Sequence, residues 1–275
     1  MVGREQGWVR AVFLVVFAWV ALIAGSRVTL GEEGITDVSG WSDERLEEFL
    51  ATAAVADDEE LGTGVTVPHR LTLEKDGDRV RAIFKYHEGY ITSVSGTSPM
   101  VALNQSDSYQ YDIATYRLDR ILGMDLVPVA VTRTVSGKTG AIQLWIEDSI
   151  DEAERAEKGI QPDDKEEFDR QWMLMQILDV LIYNIDRHAG NVLITEDGKL
   201  HAIDHTRAFR TNGGRPEHLR KVKLTPSGEL LEKLEALDNA SLKQELSGLI
   251  HPMQIKALLK RRSQIVKDAL KASPS

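Results

Sequence analysis

Three polar residues are spaced in a way that suits group transfer. Asp186 and Asn191 stand five positions apart in the stretch "NIDRHAGNVLI", and Asp204 follows thirteen positions later in "LHAIDHTRAF". Taken singly, an aspartate in a loop after a helix most often caps or turns the chain. Together the three offer a base, an amide oxygen and a carboxylate. One aspartate can then take a proton from an attacking hydroxyl while the amide and the second carboxylate hold a divalent cation against phosphate oxygens. Two other readings of the same residues stay open. The cluster could close a turn, or His188, His201, Asp204 and His205 could hold a metal for hydrolysis. The hydrolytic set is awkward on a strand, where His201 and Asp204 point to opposite faces while His201 and His205 share one.

The elements around the cluster are those that could present it. "FDRQWMLMQILDVLIY" carries Phe168, Trp172, Met175, Leu178 and Ile182 at helical intervals and delivers the chain into "NIDRHAGN". "NVLIT", "EDG" and "KLHAID" then read as strand, turn and strand, so the two polar clusters stand at opposite ends of one hairpin and can face the same cleft. Upstream, "SDERLEEFLATAAV" puts Leu46, Phe49, Leu50 and Ala53 on one helical stripe with Ser42 as N-cap. From Gly62, "GVTVPHRLTLEKDGDRVRAIFKY" alternates apolar and polar residues on both sides of "KDGD", a hairpin whose second strand ends at Lys85. After the loop-like "GTSPMVALNQSDS", the spacing of Tyr109, Ile113, Tyr116 and Leu118 or Ile121 predicts a helix that Gly123 stops. "LVPVAVTRTVSGKTGAIQLWIED" predicts a second hairpin around "SGKTG". That fragment invites comparison with a phosphate loop, but the first glycine of GxxxxGK[ST] is missing. "DEAERAEKGIQPDDKEE" reads as a solvated linker or short helix, and the C-terminal stretch as helical.

Composition narrows the partners. In 275 residues, 43 acidic against 33 basic side chains give a formal net charge of -10, which disfavours nucleic acid as a partner. The basic run "KRRSQIVK" reads as the solvated face of a terminal helix. With no cysteine, disulfides and thiolate metal sites are excluded. At the N-terminus, Arg4 and Arg10 precede an uncharged apolar run from Ala11 to Gly25. Residues 1–26 therefore read as a signal peptide, or as an N-terminal membrane anchor of roughly 22 Å if left uncleaved. The acids that follow the run, Glu32, Glu33 and Asp37, place the domain outside the cytoplasm, exported or membrane-anchored.

The motifs themselves carry a resemblance. "DRHAGN" resembles the DRHxxN catalytic loop of the phosphatidylinositol 3-/4-kinase superfamily, and "IDHTRAF" is similar to the metal-binding motif of the secretory-pathway Golgi casein kinase family. The resemblance implies an α+β, two-lobed protein-kinase-like fold with a small β-rich N-lobe over 61–147 and a larger, mainly helical C-lobe over 148–275, preceded by a spacer and leading helix over 27–60. It also implies ATP with Mg²⁺ or Mn²⁺, and a protein serine or threonine hydroxyl as acceptor, with a lipid headgroup as the alternative. "GVTVPHRLTL" takes the place of the phosphate-covering hairpin and "QLWIE" that of the connector between lobes. Residue by residue, Lys85 would grip the α- and β-phosphates, Asp112 would hold Lys85, Asp186 would be the catalytic base, and Asn191 and Asp204 would hold the metal. Arg187 and His188 would support the loop, or His188 would be a satisfied buried histidine; Asn184 reads as a turn residue. Two departures from the pattern stand out. Asp112 replaces the usual Glu and is one methylene shorter, so pairing needs a closer helix or a bridging water, and Thr206 stands where Gly is common. The first departure also suits a pseudokinase that binds nucleotide and acts as a scaffold. Hydrolysis is the poorer reading, since it leaves Lys85 unused.

Overall fold

The computed structural model describes residues 34–62, 66–87 and 107–272. The apolar N-terminal run lies outside them, as does most of "GTSPMVALNQSDS". Among the described residues no helix is long and apolar enough to cross a membrane.

Helix α1 (Asp43–Thr52) starts where Ser42 Oγ accepts a hydrogen bond from the Arg45 amide at 3.4 Å, and it buries Leu46, Phe49 and Leu50. A five-stranded antiparallel sheet follows, built from β1 (Ala54–Glu60), β2 (Thr66–Lys75), β3 (Asp78–His87), β4 (Ala130–Val135) and β5 (Lys138–Leu144), in the order β1-β2-β3-β5-β4. The β2–β3 turn uses Asp76 and Gly77 at φ 54° and 86°, and the β4–β5 turn uses Ser136 and Gly137 at 49° and 78°. Positive φ at both central residues matches the twist of paired strands. "SGKTG" is thus a hairpin turn. Alternation does the rest: Leu71, Leu73, Val80, Ala82, Phe84 and Tyr86 are buried, and α1 and α2 (Gln110–Leu122) pack against the sheet. Gly123, at φ 63°, ends α2 as expected.

Strand β1 is the departure. Its "AVADDEE" is exposed at every position and lacks apolar alternation, so the sheet begins inside the 27–60 stretch read as spacer and helix. Pairing along β2, from Ala54 opposite Glu74 to Glu60 opposite His69, holds it in place, with Asp58 2.6 Å from His69 and Glu59 2.5 Å from Arg70. The described part of "GVTVPHRLTL", from Thr66 on, is a strand paired with β1 on one side and with β3 on the other.

Residues Trp145–Asp148 connect to a mainly helical region holding α3 (Glu152–Glu157), α4 (Lys165–Ile182), α5 (Gly228–Ala236), α6 (Asn239–Glu245) and α7 (Pro252–Ala272). A small sheet of β6 (Ser149–Asp151), β7 (Val192–Thr195) and β8 (Leu200–Ala202), ordered β6-β7-β8, lies within it. In the basic run of α7, Arg261 corrects the expectation of a solvated face. It is fully buried, and its guanidinium donates to the carbonyls of Leu181 at 2.9 Å and Arg210 at 3.1 Å, tying α7 to the segment around the site. Burial draws its pKa down to about 9.

Candidate active site

Lys85 stands near the end of β3, and β5 approaches it closely. A Cβ on Gly140 would fall 2.2 Å from the Lys85 carbonyl oxygen, so only glycine lets the strands pair there. Lys85 Nζ donates to Asp112 Oδ2 at 3.2 Å and to Asp204 Oδ1 at 3.1 Å. Burial alone would push the ammonium pKa down; the two carboxylates outweigh it and hold it raised. Asp112, on the first turn of α2, pairs directly with no bridging water needed. Its other oxygen accepts from the His205 amide at 2.7 Å. Burial opposes its ionisation, but Lys85 first and then His205 keep its pKa well below the usual carboxylate range.

The loop between α4 and β7 is wired from inside. Arg187 donates from Nε and Nη2 to the two oxygens of Asp179, each at 3.0 Å, and from Nη1 to the carbonyls of Asn191 at 2.7 Å and Ile203 at 2.9 Å. The last Nη2 hydrogen meets His205 Nε2 at 2.9 Å. An arginine has five N–H groups and accepts nothing, so all five are spent and His205 Nε2 must be the acceptor. The imidazole hydrogen therefore sits on Nδ1, facing Asp112 Oδ1 at 3.6 Å, beyond hydrogen-bond reach but favourable in charge. Burial, the largest influence, lowers the His205 pKa and keeps the ring neutral. Asn184 is more than a turn residue. Its amide donates to Asp179 at 3.0 Å and its Oδ1 accepts from the Asp186 amide at 3.1 Å, fixing the backbone on which Asp186 is carried.

Pairing of Val192 with Ala202 places the start of β7 beside the end of β8, so Asn191 and Asp204 emerge side by side at the open end of the hairpin. Ile203 N donates to Asn191 O at 3.1 Å. Asn191 spends its amide nitrogen on the Asp186 carbonyl at 3.1 Å, which leaves its Oδ1 for a cation. Asp204 adopts a left-handed backbone at φ 55°, and its side chain is 41% exposed. Both of its donors, Lys85 and the Thr206 hydroxyl at 3.0 Å, reach Oδ1, so Oδ2 is left over. The non-glycine Thr206 thus has a use: it aims the carboxylate. Two oxygen donors of this kind suit Mg²⁺ or Mn²⁺, which takes few protein ligands and completes its shell with phosphate oxygens and water.

The five residues singled out from the sequence form one cluster: Lys85 meets Asp112 and Asp204, and Asn191, beside Asp204, holds the Asp186 carbonyl. The hydrolytic alternative does not assemble, because His205 faces Arg187, and among the described residues no three His, Cys, Asp or Glu side chains could enclose a metal. Sequence reasoning missed Asp179, which anchors Arg187, and Arg207, whose Nη1 stands 3.4 Å from Asp186 Oδ2. A groove of about 1070 Å³ behind the connector, lined by Trp41, Arg81, Arg120, Trp145, Glu147 and His201 among others, contains none of the five.

Residues 137–273 match the family described as phosphatidylinositol 3- and 4-kinase. Protein Rv2133c of Mycobacterium tuberculosis is 24% identical over 218 residues, 66% of this chain and 77% of that protein. Among solved structures, a Golgi casein kinase aligns at a TM-score of 0.61 and 16% identity over 90% of this chain and 82% of its own. A structure of the Golgi casein kinase with Mn/ADP bound aligns at 0.58 and 16% over 83% and 75%. Hydra Fam20 with sugar aligns at 0.61 and 14% over 89% and 93%. At such identities the likeness is one of fold, and it is the α+β, two-lobed architecture expected from the motifs. The family match begins within the β4–β5 turn. Lys85 and Asp112 lie before it and stand on geometry alone.

Proposed function

We propose that this chain, an atypical kinase of the phosphatidylinositol 3-/4-kinase-like superfamily, moves the γ-phosphate of ATP, held with Mg²⁺ or Mn²⁺, onto a hydroxyl, protein serine or threonine being the first acceptor class. The observation that carries this reading is the convergence of Lys85 from β3 on Asp112 at 3.2 Å and on Asp204, from the other lobe, at 3.1 Å. A cation held between two carboxylates is placed to release one of them to a metal and to take phosphate oxygens in exchange. The divalent cation supplies charge neutralisation on those oxygens when bound.

Lys85 grips the α- and β-phosphates, with Asp112 keeping its ammonium in line. Asp204 and Asn191 would hold the cation through carboxylate and amide oxygens. Asp186, its backbone pinned by Asn184, orients the acceptor hydroxyl and takes its proton as the new bond to phosphorus forms. The direct Lys85–Asp112 contact favours catalysis over a scaffold role, because the shorter acid costs the pair nothing in reach.

The test is turnover of radiolabelled ATP by the purified protein beside Asp186→Ala and Asp204→Ala, over serine/threonine peptides and phosphoinositide vesicles. Both variants should lose at least about 10²-fold in rate. Unaltered turnover in either would refute the assignment, and label in the vesicles alone would move the acceptor class to lipid.

A further inference from the structure

Transfer of a phosphoryl group between carboxylates needs positive charge beside the group that moves. Asp107, Asp186 and Asp204 are carboxylates of this cluster, with Lys85, Arg187 and Arg207 among the cations near them. Lys85 is buried and committed to Asp112 and Asp204. Arg187, the arginine of the catalytic loop itself, has no N–H left to offer, all five being bound to Asp179, Asn191, Ile203 and His205. Arg207 differs in every respect. It lies three residues after Asp204 with its side chain 49% exposed. Its Nε donates to Asp107 at 3.2 Å, the one hydrogen bond it makes among the described residues. Its Nη1 stands 3.4 Å from Asp186 Oδ2, near enough to feel the charge and too far for a strong hydrogen bond.

Resting on the kinase reading above, we infer that Arg207 is a catalytic residue whose guanidinium, anchored through Nε to Asp107, faces the transferred phosphoryl group. In the step, the acceptor oxygen forms its bond to the γ-phosphorus while the bond from that phosphorus to the β–γ bridging oxygen breaks. The bridging oxygen keeps the electron pair as part of ADP, and the hydroxyl proton passes to Asp186. Arg207 stays protonated throughout. Its outer N–H groups leave the loose contact with Asp186 for the three equatorial oxygens over which the charge of the transferred group is spread. A planar fork of donors suits those oxygens better than a point charge. Moving Nη1 off Asp186 also frees that carboxylate to accept the proton, so one displacement serves both partners.

The experiment separates this role from mere surface pairing and from a failure of the kinase reading. Binding of ADP with Mg²⁺, alone and with aluminium fluoride as a mimic of the transferred group, is measured by calorimetry for the whole protein, Arg207→Ala and Arg207→Lys, beside kcat and KM for ATP. In Arg207→Ala, ADP affinity should stay within about twofold. The extra affinity conferred by aluminium fluoride should vanish, and kcat should fall by roughly 10²–10³-fold with little change in KM. Arg207→Lys should recover part of both losses. Unchanged kcat and unchanged fluoride enhancement in Arg207→Ala would reduce Arg207 to a surface ion pair. A rise in kcat would make it a brake on Asp186 and equally end the proposal. A wild-type protein that binds no ADP at all removes the kinase reading first, and this inference with it.

Discussion

Arg187 and Arg207 border the same carboxylates and are held in opposite ways. In the loop from Asn184 to Asn191, the Arg187 side chain is 8% exposed and spends every donor on an internal partner. In the segment after Asp204, Arg207 is 49% exposed and rests on two acids at 3.2 and 3.4 Å. A charge satisfied wholly from within can fix a backbone but cannot answer an arriving ligand. A charge left loosely paired can trade partners at small cost, because water already bears part of its solvation. The contrast assigns shape to one arginine and response to the other.

The sharpest way to break that contrast is to remove each in turn and measure chemical denaturation. Arg187→Ala strands buried Asp179 and should cost about 3–5 kcal/mol of stability. Arg207→Ala should stay within about 0.5 kcal/mol of wild type. Equal losses would erase the distinction. A smaller effect is expected at the ring that joins the loop to α2. His205→Phe keeps an aromatic shape but leaves one Arg187 N–H without an acceptor, which should cost about 2 kcal/mol. Combined with Asp112→Asn in a double-mutant cycle, it should show coupling above about 0.5 kcal/mol; strict additivity would mean that the two sites do not communicate. Smallest is the effect at His201, on β8 just before Asp204. Burial, then Lys199, lowers its pKa to about 4 from 6.5. Between those values the unfolded chain takes up a proton that the folded chain refuses, so stability falls with falling pH. His201→Gln should lose about 1 kcal/mol less than wild type on going from pH 7 to 5.5. Thermal melts at the two pH values check it, and parallel losses in both proteins would discount the burial argument.

Where the chain carried a period, the sequence was a sound guide. The stripes of α1 and α4 and the alternating β2 and β3 announce themselves because burial selects apolar residues at the matching spacing. Strand β1 is silent because nothing covers it; its pairing is made by backbone, and its side chains record only exposure to water. The loop from Asn184 to Asn191 was legible for a different reason: the residue types that phosphoryl transfer calls for stand at Asp186, Asn191 and Asp204, close together in the chain. Asp179 left one trace, a charge in the apolar "ILDVLI" near the end of α4, which asks for a buried partner. Arg207 left none. An arginine in "HTRAF" looks like any surface cation until the fold brings Asp107 and Asp186 to it.

The short acid on α2 has one more effect. Asp112 takes Lys85 on one oxygen and the His205 amide on the other, with no methylene to spare. One carboxylate thus links the helix both to the strand lysine and to the backbone just after Asp204, so a displacement of α2 bears on both at once.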